Sequence, residues 1–227
     1  MAEQTPRTLN HLSLYSFTDA YWQMNEHAKA SFHEHWLAGL GAAATSFDVY
    51  QNTDARADLL LWCALNAEEP EAAADFFEKL ATITTPYRNL VRPVESLWGF
   101  TRPSQYSRAR SNQEIDPFAA TRMRYLVAYP FTKTAEWYLM SREARQGIMN
   151  EHIRIGKQYE DIRQLLLYSF GLQDYEFVVV YETDDLARFS DLVTELRDTE
   201  ARRFTLRDAP VYTAVHHPAQ ETMALWR

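Results

Sequence analysis

Cysteine and glycine are scarce in this 227-residue chain: Cys63 stands alone, and there are 6 glycines. A single thiol excludes an internal disulfide framework and any zinc finger built on cysteine. So few glycines leave little material for glycine-rich phosphate cradles. No Walker loop, dinucleotide fingerprint, H-E-x-x-H or G-x-S-x-G pattern occurs. Positive charge is also short, with Lys+Arg 23 against Asp+Glu 31 and a formal charge of -8. A phosphate-backbone binder draws its affinity from clustered cations, so nucleic acid is not an expected partner. No apolar run approaches the roughly 20 residues of a membrane-spanning helix. The longest, 59–65 and 177–181, are strand-sized. The polar start, Met1-Ala-Glu-Gln-Thr-Pro-Arg7, lacks the apolar core of an export signal, and a cytoplasmic location is expected. Aromatic residues are what the chain has in excess, at 14%. An aromatic-rich, acidic chain points to a packed pocket or interface, and its length suffices to bury roughly 70–75% of the unfolded surface.

Hydrophobic periodicity divides the chain into one pattern written twice. Residues 11–17 alternate apolar and polar side chains and read as a strand. Residues 21–44 carry Trp22, Ala28, Phe32, Trp36, Leu37 and Leu40 at helical spacing, ending near Gly39 and Gly41. Strands follow at 46–51 and 58–65, a helix at 68–82 with Pro70 in its first turn, and a strand at 94–101. In the second half, 125–131 reads as a strand and 141–161 as a long helix opened by Ser141 and striped by Ile148, Met149, His152, Ile155 and Tyr159. Strands at 165–170 and 175–182 flank Gly171-Leu-Gln-Asp174, a helix follows Thr183-Asp-Asp185 to about 200, and 211–215 closes the repeat. Each half is strand–helix–strand–strand–helix–strand, the ferredoxin-like βαββαβ unit. The expected fold is α+β: two tandem ferredoxin-like units, 1–101 and 122–227, joined through a connecting segment 102–121. Their sheets would pair into one barrel-like core, since each sheet needs something on its open face.

Few residues stand out chemically. His33-Glu34-His35 resembles a metal fragment, but positions two apart on a helix point about 200° apart, so surface or edge histidines are expected. His216-His217 lies at a strand end, where neighbours face opposite sides. His152 is different, because it sits within the apolar stripe of its helix. It is either a core histidine held by a hydrogen bond or a neutral imidazole ligand to a metal or haem iron. A ligand would need an acceptor for its other ring nitrogen, such as the carboxylate of Glu200. Tyr129 and Lys133 lie at a strand end around Pro130, which is expected to stop ladder pairing there. Such a phenol and ammonium are either a half-buried tyrosine with a snorkelling lysine or a pair able to bind a carboxylate and donate an electron or hydrogen. Trp22, Trp36 and Trp226 are expected to be exposed and to need an interface.

Together these residues resemble the chlorite dismutase family, haem-binding proteins with duplicated ferredoxin-like subunits. The likeness runs through Tyr129-Pro-Phe-Thr-Lys133, Trp137-Tyr138-Leu139, Asn150-Glu-His152, Ser169-Phe-Gly-Leu172, Asp174-Tyr-Glu-Phe177 and Glu182-Thr-Asp-Asp-Leu186, with Glu95-Ser-Leu-Trp98 and Arg102-Pro-Ser104 more loosely. The resemblance implies that His152 is the iron ligand, Glu200 its hydrogen-bond partner and Trp137 part of the haem site. Members that decompose chlorite carry an arginine seven residues before the Gly of the Gly-Leu-x-Asp turn. Here that place holds Gln164, with Arg163 beside it. Glutamine there, with Tyr129 and Lys133, resembles the coproheme decarboxylase branch. The implied reaction uses hydrogen peroxide to convert two propionates of iron coproporphyrin III (coproheme) to vinyls, giving haem b. Tyr129 would relay the radical, Lys133 would hold a propionate, and Gln164 would hydrogen-bond peroxide or water. Two alternatives stand: a chlorite dismutase using Arg163, and a haem-binding or haem-transfer protein with weak peroxidase activity. The resemblance also implies a homopentamer and no membrane span.

Overall fold

A computed structural model describes residues 6–106 and 111–227, so part of the connecting segment, 107–110, lies outside the described residues. The first half contains β1 (Thr8–Phe17), α1 (Asp19–Trp22), α2 (Glu26–Ala43), β2 (Ser46–Asn52), β3 (Leu59–Asn66), α3 (Ala72–Thr84) and β4 (Val91–Phe100). The second contains β5 (Tyr125–Lys133), α4 (Ala135–Leu139), α5 (Arg142–Gly156), β6 (Arg163–Tyr168), β7 (Phe177–Thr183) and α6 (Leu186–Arg197), then β8 (Thr205–Arg207), β9 (Tyr212–His216) and α7 (Ala219–Ala224).

The strands run β4-β1-β3-β2 in one half and β6-β7-β5-β9 in the other, the ferredoxin-like order twice. Pairing of β2 with β9 (Tyr50↔His216 to Asn52↔Ala214) joins one pair of edges. Phe100↔Tyr168 between β4 and β6 joins the other. All ladders are antiparallel, and the ring closes into an eight-stranded barrel, with β8 added beside β5. Closure leaves no open edge in the main ring.

Alternation along each strand sorts side chains into two layers. Leu12, Leu14, Leu60, Trp62, Leu126, Ala128, Val178 and Val180 fill the barrel interior. Their neighbours Tyr15, Leu59 and Leu61 face outward beneath α2, and Val127, Val179 and Tyr181 face outward beneath α5 and α6. Because β1 and β3 bury both faces, their sequence reads as a continuous apolar run rather than a clean alternation. Gly99 sits where the halves meet: a Cβ there would lie 2.5 Å from Ser169 Oγ and 2.7 Å from the Tyr168 carbonyl. At the opposite seam, Arg122 bonds Asp48 at 2.8 Å and approaches Glu182 at 3.8 Å, its guanidinium 4.6 Å above the Trp62 ring.

Several expectations need correction. The helix anticipated over 21–44 is two helices, because Asn25 accepts from the Ala28 N–H and caps a new start. It then runs through Gly39 and Gly41 to Ala43. The helix after Pro70 begins at Ala72, and α5 ends at Gly156 rather than 161. Pro130 does not end β5. The ladder continues past it through Phe131↔Phe177, and on to Lys133 through β8, since proline removes only one N–H. Trp36 is fully buried, stacked 5.4 Å from Phe32, while Trp22 is 46% exposed. His33 is also buried, its Nε2 2.9 Å from the Tyr21 hydroxyl. Helices α4 and α7 and strand β8 were too short for periodicity to reveal.

Candidate functional site

Equivalent helices in the two halves pack very differently. Helix α2 buries Lys29, Phe32, His33, Trp36, Leu40 and Ala43 against its sheet. Helix α5 buries only Ile155, near its C-terminal end. Its stripe residues Ile148, Met149 and His152 remain half-buried, so the first turns of α5 are covered less completely than those of α2. Ser141 caps this helix by accepting from the Ala144 N–H, which fixes where it starts and hence where His152 falls. Burial lowers the His152 imidazole to about 4, with the Lys133 charge adding to the effect, so the ring is neutral at pH 7. Its Nδ1 is buried without a hydrogen-bond partner, as is Arg145 Nε two turns earlier on the same helix. Glu200 does not bond His152: it is exposed in the turn 200–204, which packs against α5, and accepts from Arg203 Nη1 at 2.8 Å.

Across from α5 lies the outward layer of the second sheet. Tyr129 and Phe131 of β5 belong to it, packed with Tyr181, Ile155 and Tyr159. Burial raises the Tyr129 phenol, whose ring lies 6.1 Å from that of Tyr181. Register decides which of Arg163 and Gln164 shares this face. Gln164 stands opposite Tyr181 and Arg163 opposite Glu182, and directly opposed residues share a face. Gln164 is therefore on the α5 side with Tyr129, and Arg163 is on the side of Glu182. The strand-like segment at Glu114 lies alongside, with the Gln164 N–H donating to the Gln113 carbonyl at 2.7 Å.

Lys133 ends β5 on the same parity as Tyr129. Its N–H donates to Glu176 Oε2 at 2.8 Å, and its ammonium lies 3.3 Å from Thr205 Oγ1 and 4.8 Å from the Trp137 ring. Burial first, then the Arg202 charge, lowers this ammonium to about 8, with Glu176 opposing. Trp137 is itself buried, 5.8 Å from Phe204. Arg197 and Arg202 act electrostatically on Tyr129 and together clasp Asp208. Arg142 and Arg145 act likewise on Tyr106. An acidic chain thus gathers Lys133, Arg142, Arg145, Arg197 and Arg202 around one region. A neutral imidazole, a facing layer of phenols and this cationic rim suit a flat apolar ligand carrying carboxylates, as an iron porphyrin does.

A family model described as chlorite dismutase matches residues 22–217. The chain belongs to the chlorite dismutase family. It is 32% identical over 162 residues, 70% of this chain and 67% of the relative, to a Mycolicibacterium smegmatis protein named coproheme decarboxylase. A mutant chlorite dismutase from Candidatus Nitrospira defluvii superposes with a TM-score of 0.84 at 18% identity, covering 96% of this chain and 95% of that one. A heme-binding protein from Thermus thermophilus superposes at 0.76 with 19% identity, covering 98% and 96%. Those two likenesses establish the fold. Within the family's shared architecture, Tyr181, Glu176 and Thr205 are site neighbours that the sequence did not single out.

Proposed function

We propose that this chain is a coproheme decarboxylase, holding iron coproporphyrin III through His152 and converting two of its propionates to vinyls at the expense of hydrogen peroxide. The observation that carries the reading is the incomplete burial of α5: the neutral His152 on the helix, Tyr129 and Gln164 on the α5 face of the sheet, and Lys133 between Trp137 and Thr205 at the strand end. The relative named coproheme decarboxylase supports the choice of reaction, and a register with Gln164 rather than Arg163 on the Tyr129 face of the sheet favours it over chlorite decomposition. Bound iron would supply the two-electron chemistry that couples peroxide reduction to oxidation of the side chain.

The protein's own residues then have distinct tasks. Lys133, charged below about pH 8, holds a propionate carboxylate by a charge-assisted contact. The Tyr129 phenol, protonated at neutral pH because burial raises it, gives up an electron and a proton and regains a hydrogen atom from the propionate carbon. Gln164 offers an amide to peroxide or water. For each propionate, one peroxide and one proton are consumed, and a vinyl group, carbon dioxide and two waters result. The arrangement is expected to work as a homo-oligomer in the cytoplasm, with Trp137 and His152 as the principal contacts to the porphyrin.

Tyr129→Phe tests the assignment. Coproheme conversion, followed by porphyrin mass, is expected to fall to background while coproheme binding persists. Unchanged conversion would remove Tyr129 from the reaction.

A further inference from the structure

The barrel interior is apolar through its middle, where Leu12, Leu14, Leu97 and Leu126 meet, and turns polar at one end. There Glu95 of β4 stands opposite Leu14 and so shares its inward face. On β5 the inward parity runs from Ala128 through Pro130 to Thr132, and Thr132 stands opposite Arg207 of β8. Asp174 and Tyr175, just before β7, complete this end, with Tyr175 packed on the interior cluster. These residues line a cavity of about 320 Å³, near the lower limit of ordinary ligand pockets, which suits a small molecule. Neither His152, Tyr129, Gln164 nor Lys133 lines it.

The cavity holds both signs of charge, Arg207 against Glu95 and Asp174. Among the described residues, none of these three forms an ion pair, although all face one space. Arg56, whose charge reaches Glu95, is engaged by Asp54, the Val211 carbonyl and the Tyr212 ring. The Tyr175 hydroxyl and the Gln173 amide bond each other and the Ser96 carbonyl. Glu95 accepts from the Ser96 N–H at 3.1 Å, which leaves its other lone pairs for a ligand. The other walls include Phe131, Leu172 and Pro210, so the charged groups border an apolar surface.

We propose that this end of the barrel binds a small zwitterion, a free α-amino acid with an apolar side chain. Its carboxylate meets the Arg207 guanidinium, its ammonium meets Glu95 and Asp174, and its side chain lies along Phe131, Leu172 and Pro210. A guanidinium fork matches a carboxylate through two parallel hydrogen bonds, and an ammonium has three donors to divide between two carboxylates. A simple anion would leave the carboxylates unanswered, and a simple cation would leave Arg207 unanswered. A dipolar molecule answers both.

Calorimetric titration of the full chain, without porphyrin, with each of the common α-amino acids tests the site. At least one with an apolar side chain is expected to bind with a Kd below about 1 mM. Its N-acetyl form and its amide each lack one charge and are expected to bind about tenfold more weakly or not at all. Arg207→Gln and Glu95→Gln are expected to weaken binding by a similar factor while Tm stays that of the parent. Absence of binding by every amino acid overturns the proposal. Equal binding of the blocked forms overturns the dipolar ligand, and binding indifferent to both substitutions overturns the site. None of these outcomes depends on whether the chain decarboxylates coproheme.

Discussion

Lys133 and Tyr129 share one face of one strand, yet their environments push them toward different tasks. Burial keeps the phenol protonated and makes the ammonium easier to neutralise. Lys133→Met keeps the stem beside Trp137 and removes the charge. It is expected to weaken coproheme binding about tenfold or more, the size of one charge-assisted hydrogen bond, in an absorbance titration. His152→Ala is expected to erase the iron–imidazole signature in the same titration, and a retained signature would place the ligand elsewhere. His152 was legible as the one histidine inside an apolar stripe, and Tyr129 and Lys133 through their shared motif. Tyr181 was not, because its neighbours Gln164 and Val127 come from other strands and depend on register. The bond expected between His152 and Glu200 is not made in this structure, where Arg203, three residues on, takes the carboxylate.

At the scale of elements, long periodic segments announced themselves and their ends did not. Helix and strand order followed from alternation and from caps such as Ser141. The split between α1 and α2 turned on one side-chain hydrogen bond at Asn25, and the passage of β5 through Pro130 turned on which N–H the ladder needed. The seams hold two testable features. Gly99→Ala would drive a methyl group into Ser169 and the Tyr168 backbone, where a backbone cannot yield cheaply. A loss of about 1–3 kcal/mol, several degrees in Tm, is expected by thermal melting. Glu182, at the other seam, is 1% exposed, and burial pushes its carboxyl from an ordinary 4.5 up to about 6 despite Arg122 and Arg163. The folded chain therefore binds this proton more tightly than the unfolded chain does. Its stabilising effect is complete below about pH 4.5 and is lost as pH rises through about 6, leaving a cost of about 2 kcal/mol at neutral pH. Glu182→Gln is expected to raise Tm at pH 7 and to give no gain at pH 4. A gain independent of pH would contradict the linkage.

For the molecule as a whole, duplication supplied two similar frames and packing distinguished them. The outward face of the first half is closed by Phe32, Trp36, Leu40 and Phe76, whereas α5 buries only Ile155 against the second. The repeated order of elements was readable from the sequence. The unequal filling of the two frames was not, since both helices carry apolar stripes. One consequence is a stoichiometry of one porphyrin per chain. A binding titration that continues to two would mean that the first frame also opens. Among the described residues, no helix is long and apolar enough to cross a membrane. The most direct test of the whole account is a peroxide titration of the protein loaded with ferric coproheme, with mass analysis of the porphyrin at each addition. Two successive losses of a carboxyl group, ending at haem b, are predicted. Coproheme that stays intact, or bleaches without losing a carboxyl group, would contradict the assignment.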